Sequence, residues 1–147
     1  MCKQAVQDQY PEDYAHCYGC GRLNGKGHHL KSYWEGEEMV CRYTPDAKYT
    51  GGFPDFLYGG MIASLIDCHG AATAAAAKAR EEEKPISRFV TASLKVDYLA
   101  PTPINTELEI RGKATEMKGR KVIVELTLSA LDKICATGTA VMVQIHV

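Results

Sequence analysis

The sequence has almost no excess charge of either sign. Its 17 Lys+Arg stand against 18 Asp+Glu, a formal net charge of −1. A nucleic-acid binder normally carries a basic surplus, so nucleic acid is not an expected partner. Long apolar runs are also missing, and nothing approaches the ~20 consecutive apolar residues of a membrane helix. The longest candidate, Met61 to Ala79, is broken by Ser64, Asp67, His69 and Lys78. Met1-Cys2-Lys3-Gln4 lacks the apolar run of a secretory signal. The expectation is a cytoplasmic protein with no membrane partner. Repeats and low-complexity linkers are absent too. With 147 residues there is no room for two lobes closing over a cleft. A pocket must therefore lie within one domain or between copies of it.

Cysteine is not scarce, but its pattern is incomplete. Six are present, and without a secretion signal reduced thiols are expected. Cys17-Tyr18-Gly19-Cys20 has metal-ligand spacing, with His16, His28 and His29 nearby. A structural zinc site usually needs four ligands, and no second pair at this spacing follows. No metal is assigned, and the plain reading is a tight packing loop. Cys68 has no evident activating partner and reads as a small buried residue.

Residues 1–29 are polar, Gly-rich and dotted with aromatics, an N-terminal arm with one short helix near Gln4–Tyr14. Residues 30–147 read as one domain. Leu30–Trp34 and Glu38–Tyr43 are short strands around a turn at Glu35-Gly36-Glu37. A helix is expected over Gly59–Glu82, where alanine, the strongest helix former, dominates the second half. Ile62, Leu65, Ile66, His69 and Thr73 mark its core-facing stripe. His69 on that stripe reads as a satisfied core or interface histidine.

Four strands follow. Val90, Ala92, Leu94, Val96 and Tyr98 alternate with Thr91, Ser93, Lys95 and Asp97, the period-2 pattern of a half-buried strand. Thr106–Glu116, Lys121–Leu131 and Ile134–Val147 complete the set, with turns at Lys118-Gly119 and Asp132-Lys133. The fold class is α+β, an antiparallel sheet covering one long helix.

Asp67 is the odd residue of that helix, because carboxylates are rarely buried without a reason. Its helical neighbours Ala63, Gly70, Ala71 and Ala74 are all small, which reads as a groove for close approach. Gly59-Gly60 opens the helix, where the first N–H groups lack intrahelical partners and form an oxyanion site. Eight residues of helix separate Gly59 from Asp67 by about 12 Å. Oxyanion donors act at about 3 Å, so one copy cannot easily serve one carbonyl with both. Two antiparallel copies can, and a homo-oligomer, either a dimer or a dimer of dimers, is expected.

At these residues the sequence resembles the hotdog-fold acyl-CoA thioesterases of the phenylacetyl-CoA type, related to the 4-hydroxybenzoyl-CoA thioesterases. Cys17-Tyr18-Gly19-Cys20-Gly21 and Leu23-Asn24-Gly25-Lys26-Gly27 resemble the family's first motif. Leu57-Tyr58-Gly59-Gly60 stands where the family has His-Gly-Gly, and Ala63-Ser64-Leu65-Ile66-Asp67 matches its helix motif. Thr91 to Pro101 resembles the strand after the helix.

The resemblance implies a sheet wrapped around the helix, no cofactor, and hydrolysis of an acyl-CoA thioester at a dimer-interface site. It implies Asp67 as nucleophile or general base, and the Gly59 N–H, helped by Gly60, as the oxyanion donor. Thr91 would orient the attacking water. Tyr58 replaces the family His. Phe56 and Tyr58 are candidates for the acyl pocket. Arg120 and Lys121, in the densest basic cluster, are candidates for CoA phosphates; Arg88, Arg111 and Lys113 are further cations near strand ends. Two alternatives stand beside hydrolysis: a hydratase or dehydratase on the same fold, and a non-catalytic acyl-ligand-binding module.

Overall fold

Alanine concentrates where the helix forms. In the computed structural model, which describes residues 3–145, α1 spans Gly59–Glu82, the boundaries expected from sequence. Tyr58 is the extended residue before it, and Glu83 ends it in the left-handed conformation with its N–H on the Ala79 carbonyl. The strands are β1 Ser32–Glu35, β2 Glu38–Tyr43, β3 Phe89–Tyr98, β4 Leu108–Lys118, β5 Lys121–Ala130 and β6 Lys133–Gln144. They form a single antiparallel six-stranded sheet in the order β1-β2-β4-β5-β6-β3. One long helix lies against that sheet, the α+β hotdog arrangement. His146 and Val147, assigned to the last strand from sequence, and Met1 and Cys2 lie outside the described residues.

The N-terminal arm departs from expectation. In place of one short helix, two 3₁₀ turns occur at Val6–Gln9 and Glu12–Tyr14. Pro11 lies between them and supplies no N–H to continue the first. Val6, Tyr10, Ala15 and Cys20 from this arm are buried in the same core as the helix and sheet.

The helix stripe is buried as its periodicity implies: Ile62, Leu65, Ile66, His69 and Thr73 are all inaccessible. Contact with the sheet is close enough to require glycine. A Cβ at Gly138 would meet Ile66 Cγ2 at 2.6 Å, and one at Gly112 would meet Thr73 Oγ1 at 2.5 Å. His69 is held on both sides. Its Nε2–H donates to the Met39 carbonyl at 2.9 Å, and its Nδ1 accepts from Ser32 Oγ at 2.8 Å. Ser32 Oγ in turn accepts from Gln7 Nε2, and Gln7 Oε1 accepts from the Ser32 N–H. Burial pushes the His69 pKa down to about 4, so the ring stays neutral. This chain of bonds joins arm, sheet and helix.

β3 is an edge strand, bonded only to β6. Its alternation is broken, because pairing with β6 passes from Thr91–Met142 directly to Ser93–Val141 and leaves Ala92 as a bulge. The bulge shifts parity by one residue. Phe89 and Thr91 face the helix before it, and Leu94 and Val96 pack on the core after it. The sequence reading put Val90, Ala92 and Tyr98 on that inner face with Leu94 and Val96; Val90 and Ala92 are instead exposed, while Tyr98 keeps the parity of Leu94 and Val96 and reaches the start of the helix. Without the bulge, Thr91 would share the outward face of Lys95 and Asp97.

Candidate active site

Between Met61 and Ala76, helix α1 is buried everywhere except at Ala63, Ser64 and Asp67. The small-residue groove expected around Asp67 is therefore shorter than the sequence suggested. Gly70 packs on Met142 and Ala140, and Ala71 and Ala74 lie in the core. The open part is the half-exposed window at Asp67 itself. There Thr91 Oγ1 donates to Asp67 Oδ1 at 2.5 Å. Thr91 is thus brought to the carboxylate, the one residue of the strand motif that the bulge turns inward.

Asp67 and Thr91 line a cavity of about 150 Å³ with Cys17, Cys20, Cys68, Arg88 and Phe89. Arg88 was one of several cations noted in the sequence, with no place in the site. Its guanidinium lies 4.6 Å from the Tyr10 ring centroid, and its buried Nη1 has no hydrogen-bond partner. Nothing in the local sequence distinguishes it, because its position depends on the arm folding back under β3.

Gly59 sits in a different depression. A pocket of about 400 Å³ is lined by Phe56, Leu57, Gly59, Ile62, Tyr98, Leu99 and Pro101. Tyr98 Oη donates to the Gly59 carbonyl at 2.8 Å and ties the helix start to the end of β3. Among the described residues, neither the Gly59 nor the Gly60 N–H meets a protein acceptor, while Met61 and Ile62 already bond to Tyr58. Those two donors are free for a ligand, at the positive end of the helix dipole. Tyr58, 41 % exposed, lays its ring over Gly60. Phe56 is 38 % exposed at the pocket edge. Within one chain Asp67 and Gly59 therefore line separate cavities.

Arg120 and Lys121 do not line either cavity. Their hairpin is anchored by Lys78 Nζ, which donates to the Gly119 carbonyl at 2.6 Å. Lys121 shares a sheet row with Val143 and Val90, so its backbone is two strands, about 10 Å, from the residue before Thr91. Arg111 is engaged elsewhere, on Glu109 and Glu38.

The loop of Cys17 and Cys20 meets Cys68 from the helix, and the three Sγ atoms lie within 4.8 Å of one another. Cys17 Sγ and Cys68 Sγ are 3.8 Å apart. The local sequence showed only a pair; the third thiol is 48 residues beyond Cys20 and adjacent to Asp67. This is the one group among the described residues with three such side chains placed to share a metal ion. No described helix is long and apolar enough to cross a membrane.

Comparison with known proteins bears on the family and the fold. A family model described as the thioesterase superfamily matches residues 55–136. A solved thioesterase superfamily protein from Shewanella loihica is 48% identical, covers 91% of this chain and 97% of its own, and superposes with a TM-score of 0.72. The PaaI protein of the Escherichia coli phenylacetic acid degradation operon shares the fold at 15% identity, with a TM-score of 0.68 over 81% of each chain. Among curated proteins, an acyl-coenzyme A thioesterase THEM4 from Xenopus laevis is 33% identical over 94 residues. That match spans 64% of this chain and 38% of the Xenopus protein, so the chain reaches over well under half the length of its curated relative.

Proposed function

The chain belongs to the thioesterase superfamily, and from that premise we propose that it hydrolyses an acyl-CoA thioester to the free acid and CoA. The observation that carries this reading is the Thr91–Asp67 contact at 2.5 Å. The hydroxyl occupies Oδ1 and leaves Oδ2 for a water. Asp67 then acts as general base: it takes a proton as the water oxygen attacks the thioester carbon. The oxyanion that forms is held by the free N–H groups of Gly59 and Gly60. Collapse breaks the C–S bond, and the CoA sulfur leaves with the proton from Asp67. The apolar pocket beside Gly59, with Phe56, Tyr98 and Leu99, takes the acyl group. Tyr58 borders it in place of the family histidine, and Arg120 and Lys121 face the nucleotide end.

The working site is shared between two copies. About 12 Å of helix separates Gly59 from Asp67, and the two open onto separate cavities. The unpaired edge of β3, with Val90, Tyr98 and Leu99 exposed, is the surface that a second copy would cover. Gly59 of one copy then meets Asp67 of the other.

Asp67→Asn tests the chemistry. Thiol release from acyl-CoA should fall by about 10²–10⁴-fold, with circular dichroism and oligomer mass unchanged. Turnover within tenfold of the parent would remove Asp67 from the reaction. Consumption of an enoyl-CoA without thiol release would point to hydration instead. A single turnover in ¹⁸O-water that labels the Asp67 side chain would make it a nucleophile rather than a base.

A further inference from the structure

The cysteine cluster is not used by the hydrolysis just described, and its geometry is more specific than packing requires. Gly19 has no Cβ, and one placed there would stand 2.3 Å from Cys68 Sγ, so the loop seats directly on that sulfur. The loop is closed by the Gly21 N–H donating to the Cys17 carbonyl at 2.7 Å.

We propose that Cys17, Cys20 and Cys68 bind a thiophilic divalent cation, zinc by its chemistry, and so clamp the N-terminal loop to the helix turn that carries Asp67. Zinc–thiolate bonds of about 2.3 Å in a tetrahedron put neighbouring sulfurs about 3.8 Å apart. Cys17 Sγ and Cys68 Sγ already stand at 3.8 Å. All three sulfurs lie within 4.8 Å of one another, so each edge needs no more than about 1 Å of movement to close on an ion. Soft thiolate donors select zinc over magnesium or calcium. The fourth position falls to a water from the cavity that the cluster shares with Asp67. Three thiolates outweigh a divalent ion by one negative charge. Arg88, in the wall of the same cavity with an unpartnered Nη1, supplies the balancing positive charge.

The test is a titration of the fully reduced protein with Co²⁺, whose thiolate complexes absorb through sulfur-to-metal charge transfer. One equivalent per chain should bind with that band, and Zn²⁺ should displace it. Cys17→Ser should weaken binding at least tenfold; Cys17 is half-exposed, and circular dichroism verifies the fold. Cys135→Ala, which removes a buried thiol outside the cluster, should leave the titration unchanged. Zn²⁺ should raise the melting temperature of the parent and of Cys135→Ala but not of Cys17→Ser. No charge-transfer band at stoichiometric Co²⁺, or a band unchanged in Cys17→Ser, would overturn the site. The readout is absorbance of bound metal, so its failure is distinct from a failure of the thioesterase reading.

Discussion

Thr91 Oγ1 reaches Asp67 Oδ1 across the gap between an edge strand and the central helix, at 2.5 Å. The bulge at Ala92 makes the contact possible. Bulges beside functional sites often re-aim one side chain without disturbing the rest of a strand. Here the bulge keeps both halves of the strand on one face: Thr91 meets the carboxylate, then Leu94 and Val96 pack on the core.

The first prediction follows from that contact. Thr91→Val keeps the β-branched shape and removes the hydroxyl. A hydrogen bond to a charged group contributes about 1.5–3 kcal/mol, so kcat should fall about 10–100-fold. Thr91→Ser should stay within a few-fold of the parent. Steady-state kinetics on both variants measures this. Equal loss in the two would mean that shape, not the hydroxyl, matters at this position.

His69 yields a stability prediction. Its ring satisfies the Met39 carbonyl and the Ser32 hydroxyl inside the core. His69→Leu fills similar space but leaves the Met39 carbonyl without its partner and removes the acceptor of the Ser32 hydroxyl. Each buried unsatisfied group costs about 1–3 kcal/mol, so the variant should lose about 3 kcal/mol in urea unfolding. Gln7→Ala should be partly non-additive with it, because both act through Ser32. A loss below 1 kcal/mol would show that the network is not a source of stability.

How far the sequence disclosed this structure depends on the range of each interaction. Helix α1 was legible to its ends, because an alanine run, an opening Gly-Gly and a closing charge cluster are all local signals. The role of His69 was legible from its place on the apolar stripe. The parity of β3 was not, since a bulge is a backbone event with no reserved residue type. Asp67 and Thr91 were both singled out, but their facing orientation depends on that bulge. The meeting of Cys17 and Cys20 with Cys68, and the placement of Arg88 against Tyr10 of the arm, are tertiary contacts that no local pattern encodes.

Arg120 and Lys121 lead to a prediction about the nucleotide end of the substrate. They are exposed and stand about 10 Å of sheet from the Asp67 cavity, a reach suited to phosphates and not to the thioester. Exposed charge contacts contribute about 0.2–1 kcal/mol each. Replacing both by alanine should raise KM for acyl-CoA about 2–10-fold with kcat preserved. The same acyl group on N-acetylcysteamine, which lacks the nucleotide, should show no change. An unchanged KM for acyl-CoA would remove the hairpin from substrate binding.

Gly59 permits a direct test of whether two copies share each site. It is the first residue of α1, preceded by an extended Tyr58 with ψ of 149°. Proline is tolerated at that helix position, and the residue before it is already in the conformation proline requires. Gly59→Pro therefore removes the N–H proposed to hold the oxyanion while leaving the helix start in place. Alone it should lower kcat by about 10²–10³-fold. Mixed and re-equilibrated with Asp67→Asn, the pair should recover activity. Each mixed dimer would carry one site with both defects and one with neither. Random exchange makes half the dimers mixed, so about a quarter of the parental activity should return. If each chain held a complete site, every site in the mixture would keep one defect and no activity would return.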